Sequence, residues 1–118
     1  VCRRVGVRLL SNASLPGQPL PAGTLWAYQR RSLYDKLMQG PVANVIATLH
    51  ELAGELGKTP AQLAIAWVLA HREISVAISG ADTPDQLDDV LGGVGWTLDP
   101  AVKQRLDEVS AEVTIGVI

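Results

Sequence analysis

Ile74-Ser75-Val76-Ala77-Ile78-Ser79-Gly80-Ala81-Asp82-Thr83-Pro84-Asp85-Gln86-Leu87-Asp88-Asp89-Val90-Leu91 joins a strand signal to a helix signal. Ile74 to Ile78 is a short β-rich run that stops at Ser79-Gly80-Ala81. Thr83-Pro84-Asp85-Gln86 then opens a helix, with an N-cap threonine, a proline at the first helical position and a capping-box glutamine. The order is strand, tight turn, helix N-terminus. A helix start leaves backbone N–H groups without internal partners and carries a partial positive charge. Beside a glycine that permits close backbone approach, it can hold a phosphate. Nucleotide-cofactor binding is therefore the first expectation.

Upstream of this stretch lie two helices. After Gly40-Pro41, the residues Val42, Val45, Ile46, Leu49, Leu52, Ala53 and Leu56 recur at three- and four-residue spacing, and Gly57 ends the run. Thr59-Pro60-Ala61-Gln62 repeats the Thr-Pro-x-Gln start and opens a second helix through Ala70. Its residues 63–69 are apolar nearly all round, so it must be buried on most sides. Downstream, Gly92-Gly93 and Gly95 break the chain and Trp96 and Leu98 pack locally. Asp99-Pro100 then starts a third capped helix with Val102, Leu106 and Val109 on one face. The tail from Ala111 to Ile118 has no clear period.

At the other end, Val5 to Leu10 alternates Val5, Val7 and Leu9 with Gly6 and Arg8, which suits a strand with one buried face. Three prolines and two glycines between Leu15 and Gly23 exclude regular structure there. Trp26 and Tyr28, which follow, either pack this loop down or line a pocket. Strands joined by helical crossovers form parallel sheets that need helix cover on both faces. Two such strands alone leave open edges, and the first residue is Val1, so the chain reads as the last part of a larger α/β domain.

Composition narrows the function classes. At 118 residues and 47% hydrophobic, the chain is long enough for one compact soluble domain. A net charge of −2 and isolated Arg3-Arg4 and Arg30-Arg31 pairs argue against nucleic acid, which needs clustered cations. One cysteine, Cys2, offers neither an internal disulfide nor a metal-ligand set and points to a cytoplasmic protein. No apolar run is long enough to span a membrane.

Several motifs in fixed order resemble the aldo-keto reductase family. They are Glu51-Leu52-Ala53-Gly54-Glu55-Leu56-Gly57-Lys58-Thr59-Pro60-Ala61-Gln62, running on through Leu69, then Val76-Ala77-Ile78-Ser79-Gly80-Ala81 and Thr83-Pro84-Asp85-Gln86-Leu87, and finally Trp96-Thr97-Leu98-Asp99-Pro100 and Leu106-Asp107-Glu108-Val109-Ser110. The resemblance covers roughly residues 5–110. It implies an α/β fold, the C-terminal portion of a (β/α)8 TIM barrel, with residues 1–118 supplying the seventh and eighth β/α units and the C-terminal helix. A whole barrel is typically about 250 residues, so the barrel is incomplete as given.

The same resemblance implies an oxidoreductase that reduces an aldehyde or ketone with NADP or NAD as cofactor. Its partners would be the nicotinamide cofactor and a small carbonyl substrate. By position, Ser79, Gly80 and Ala81 would supply the close-approach turn, and Asp82, Gln86, Asp89 and Val90 would contact the adenosine half. Asn12, Ala13 and Leu15, in the loop after the seventh strand, would lie against the diphosphate side.

Departures from the family pattern bear on the cofactor. The family often has a basic or hydroxyl side chain where Asp82 stands, an asparagine where Val90 stands and a stacking aromatic where Asn12 stands. A carboxylate at Asp82, with Asp85 nearby, repels a 2′-phosphate and accepts a hydrogen bond from an unmodified ribose hydroxyl, which implies NAD tolerance or weakened binding. Alternatively, both aspartates serve only to favour the helix N-terminus. The family's catalytic Asp, Tyr, Lys and His come from segments of the barrel not matched here, and His50, His71, Tyr28 and Tyr34 replace none of them.

Two competing readings remain. Leu52 to Ala70 has the spacing of a helix-turn-helix, but the recognition face would be Ala61, Leu63, Ala64, Ile65, Trp67 and Val68, with Gln62 its only polar member, which does not suit base reading. The stronger alternative is a non-catalytic reductase remnant that packs on a partner, or on itself, through uncovered strand edges.

Overall fold

The computed structural model describes residues 2–4, 15–19, 22 and 31–113. The order is β1 (Cys2–Arg4), α1 (Arg31–Leu37), α2 (Pro41–Leu56), α3 (Pro60–Leu69), β2 (Val76–Ile78), α4 (Pro84–Leu91) and α5 (Pro100–Ser110). The two strands pair in parallel, with Cys2 opposite Val76, Arg3 opposite Ala77 and Arg4 opposite Ile78. Parallel pairing is what helical crossovers impose. The strand expected over residues 5–10 falls outside the described residues, and the strand that is described lies just ahead of it. Trp26 and Tyr28 also lie outside them. Among the described residues the sheet has two strands and does not close into a barrel.

Helix boundaries follow the punctuation in the sequence. Pro41 begins α2 after Gly40, and Gly57 ends it in the left-handed conformation at φ +64. There the Lys58 N–H donates to the carbonyl of Ala53, and the turn closes on itself. Thr59 caps α3 with a complete capping box, its hydroxyl accepting from the Gln62 N–H and its own N–H donating to Gln62 Oε1. Asp99 caps α5 by accepting from the Ala101 N–H. The sequence gives no comparable signal for α1, whose first turn, Arg31-Ser32-Leu33, carries no proline, and this helix was not expected.

The main core joins α2, α3 and α5: Leu49, Leu52, Ala53, Leu63, Ala64, Leu98 and Leu106 are buried together, with Trp67 and Trp96 packed against them. Lys58 Nζ sits 5.2 Å from the centre of the Trp96 ring, a cation–π contact on the edge of this core. A smaller cluster of Tyr34, Val42 and Ile46 holds α1 against α2. As the all-round apolarity of α3 required, Leu63, Ala64, Ile65, Ala66 and Val68 are buried. The face that a DNA-reading helix would present is therefore inside the protein.

Gly93 positions α4. A Cβ there would meet the Gln62 carbonyl oxygen at 2.6 Å and Ile65 Cβ at 2.8 Å, so only glycine lets the turn after α4 rest directly on α3. Gly92 would likewise collide with the Gln62 side chain. The glycine pair expected to break the chain is also a contact surface.

Candidate functional site

β2 ends at Ile78 and α4 begins at Pro84, and the five residues between them turn the chain at the strand's C-terminal end. Thr83 is extended, its hydroxyl accepts from the Gln86 N–H at 3.2 Å, and Pro84 takes the first helical position. An open groove of about 480 Å³ lies here, lined by Ser79, Ala81, Asp82, Thr83, Pro84, Leu87 and Val90.

Of the residues expected to contact cofactor, Ser79, Ala81, Asp82 and Val90 come together on this groove. Gly80 lies within the same turn without lining the groove, and its φ is not positive. Leu15 is half-buried in a separate turn, where its carbonyl accepts from the Gln18 N–H, and it does not line the groove either. Asn12 and Ala13 fall outside the described residues.

Gln86 and Asp89 have other work. The Gln86 side chain does not complete a capping box with Thr83. Its Oε1 instead accepts from the backbone N–H of Asp82 at 2.8 Å, closing the loop ahead of the helix. Asp89 turns toward α3, where its Oδ1 accepts from the Thr59 hydroxyl at 2.8 Å. The adjacent Asp88 is exposed, as neighbouring positions on a helix require.

Three groove residues were not anticipated as site residues: Thr83, Pro84 and Leu87. Thr83, Leu87 and Val90 are spaced i, i+4 and i+7, so one face of α4 carries them, and that spacing was legible in the sequence.

The donors available at this helix start are few. Pro84 has no N–H, and the N–H groups of Asp82, Gln86 and Leu87 already donate to Gln86 Oε1, the Thr83 hydroxyl and the Thr83 carbonyl. A phosphate placed here meets a depleted set of donors and the Asp82 side chain. A ribose hydroxyl or a purine face, by contrast, fits a groove of mixed apolar and polar lining. Among the described residues no group of His, Cys, Asp or Glu could hold a metal ion, and no helix is long and apolar enough to cross a membrane.

Comparison with known proteins identifies the family. A model of the aldo/keto reductase family matches residues 13–111. The chain is 27% identical over 121 residues to a chloroplastic pyridoxal reductase of Arabidopsis thaliana, covering 95% of this chain and 31% of that protein. It is 32% identical over 66 residues to a putative voltage-gated potassium channel subunit beta of Schizosaccharomyces pombe, covering 54% of this chain and 19% of that protein. An uncharacterized oxidoreductase of Bacillus subtilis is 36% identical over 59 residues, 50% of this chain and 18% of its own length. The chain thus spans about a third or less of the length of these relatives.

Proposed function

Because the chain belongs to the aldo/keto reductase family, we propose that it supplies the cofactor-adenosine-binding part of an NAD(P)H-dependent reductase acting on an aldehyde or ketone. The observation that carries the reading is the groove at the C-terminal end of β2, where Ser79, Ala81, Asp82 and Val90 share one wall system with the first turn of α4. The bound nicotinamide nucleotide would supply the hydride. Ser79 and Asp82 would orient the ribose, with Leu87 and Val90 giving an apolar surface for the base. No step of carbonyl chemistry is assigned to residues of this chain.

Cofactor preference follows from Asp82. Its carboxylate at the groove disfavours a second phosphate and accepts from a 2′-hydroxyl, so the reading favours NADH over NADPH. Titration of the 118-residue chain with each nucleotide, followed by tryptophan fluorescence, tests both halves. Saturable NADH binding is expected, with Asp82→Ser shifting preference toward NADPH. NADPH binding tighter by about tenfold in the unaltered chain would overturn the role of Asp82. An absence of saturable binding by either nucleotide would overturn the adenosine site.

A second reading, a non-catalytic module that associates with itself, is favoured by a different observation. Val76 and Ile78 of β2, Leu87 and Leu91 of α4, and Val94 beyond it are each about half exposed. Apolar exposure on a short sheet and on a neighbouring helix is what an association surface requires.

A further inference from the structure

Away from the groove, four side chains converge where α5 crosses the end of α3. Asp107 of α5 is the centre. Its Oδ1 accepts from Trp67 Nε1 at 2.8 Å and faces His71 Nε2 at 3.0 Å, while its Oδ2 accepts from Lys103 Nζ. His71 sits in the bend just after α3. Its other ring nitrogen, Nδ1, lies 2.8 Å from the Trp67 carbonyl oxygen. The bend goes on to β2, with the Ile74 N–H donating to the His71 carbonyl.

Both ring nitrogens of His71 therefore face acceptors. A neutral imidazole has one N–H and can satisfy one of them, leaving two lone pairs opposed at the other. Only the imidazolium donates to both. We propose that His71 is a proton-dependent latch that fastens α5 to the bend leading into β2. Protonated, it bridges the Trp67 carbonyl and Asp107. Deprotonated, it gives up one bridge and the C-terminal half of α5 loosens.

Asp107 and Lys103 place opposite charges beside the His71 ring. Burial acts to raise the Asp107 carboxyl, but hydrogen bonds from Lys103 and Trp67 and the charges of His71 and Lys103 outweigh it, so the carboxyl lies below its ordinary 3.8. It stays ionised wherever histidine titrates. α3 carries no charged side chain. On the bend, Arg72 and Glu73 are exposed. On α2, Glu51 pairs with Arg105, Glu55 is exposed, and His50 Nε2 is buried without a hydrogen-bond partner. On α5, Lys103 holds the other carboxylate oxygen of Asp107, and Ser110 Oγ donates to the Asp107 carbonyl.

Hydrogen exchange of the α5 amides in the 118-residue chain, corrected for intrinsic rates, tests the latch. Protection over residues 103–110 should be about fivefold greater near pH 5.5 than near pH 8, the scale of one charge-assisted hydrogen bond on a partly exposed pair. His71→Gln should abolish the pH dependence, while His50→Gln should keep it. Protection that is independent of pH, or a pH dependence that survives His71→Gln, overturns the proposal. Should His71→Gln fail to fold, ring nitrogen shifts of the unaltered chain decide. Both His71 nitrogens protonated near pH 5.5 supports the latch, and a neutral ring there overturns it.

Discussion

Gly93 shows how a single residue can hold two elements in register. Its backbone lies against the Gln62 carbonyl and Ile65, and a Cβ has no room to enter. Gly93→Ala should lower the free energy of unfolding by about 1–3 kcal/mol, the usual cost of overpacking, as measured by urea denaturation. Gly54→Ala is the control, because a Cβ there meets nothing within 4 Å. Equal effects at the two sites would contradict the close approach. In the sequence, Gly92-Gly93 carries only the message that a helix ends. Which neighbour the turn touches depends on a contact with Gln62, thirty residues earlier, and no local pattern encodes that.

The same limit operates on elements. Thr59-Pro60-Ala61-Gln62 and Thr83-Pro84-Asp85-Gln86 are one motif in sequence and two arrangements in structure. At α3 the glutamine returns to the Thr59 N–H, whereas at α4 it bonds the Asp82 N–H. The Thr59 hydroxyl also has a second function, donating to Asp89 and so tying the start of α3 to the middle of α4. Thr59→Ala should therefore destabilise the chain by about 1–2 kcal/mol, and Thr83→Ala, which loses a cap alone at an exposed site, by less. Denaturation curves showing equal losses would mean that the Thr59–Asp89 bond contributes little. Helix positions were legible because proline, threonine and glycine act within a few residues. α1 escaped because the packing of Tyr34 on Val42 and Ile46 holds it.

At the scale of the molecule, the core formed by the described residues is one-sided. α2, α3 and α5 bury their apolar faces together, whereas α4 buries no residue and β2 leaves Val76 and Ile78 in solvent. The self-associating reading expects the sedimentation coefficient to rise with protein concentration, and Leu87→Asp with Leu91→Asp to suppress the rise. Both leucines are half exposed, so the substitutions leave the core intact. A chain that stays monomeric at all concentrations would count against self-association and leave the cofactor reading standing.

Legible in the sequence were features that are local or cumulative: the caps at Thr59, Thr83 and Asp99, the buried character of α3, and membership of the aldo/keto reductase family. Each follows from residues close in the chain or from many motifs in order. Packing of distant elements decided that Asp89 bonds to Thr59 instead of lining the groove, that Gly93 rests on α3, and that Trp67 and His71 meet Asp107. The physical reason is range. A hydrogen bond between side chains 30 or 40 residues apart exists only once packing has brought their helices together.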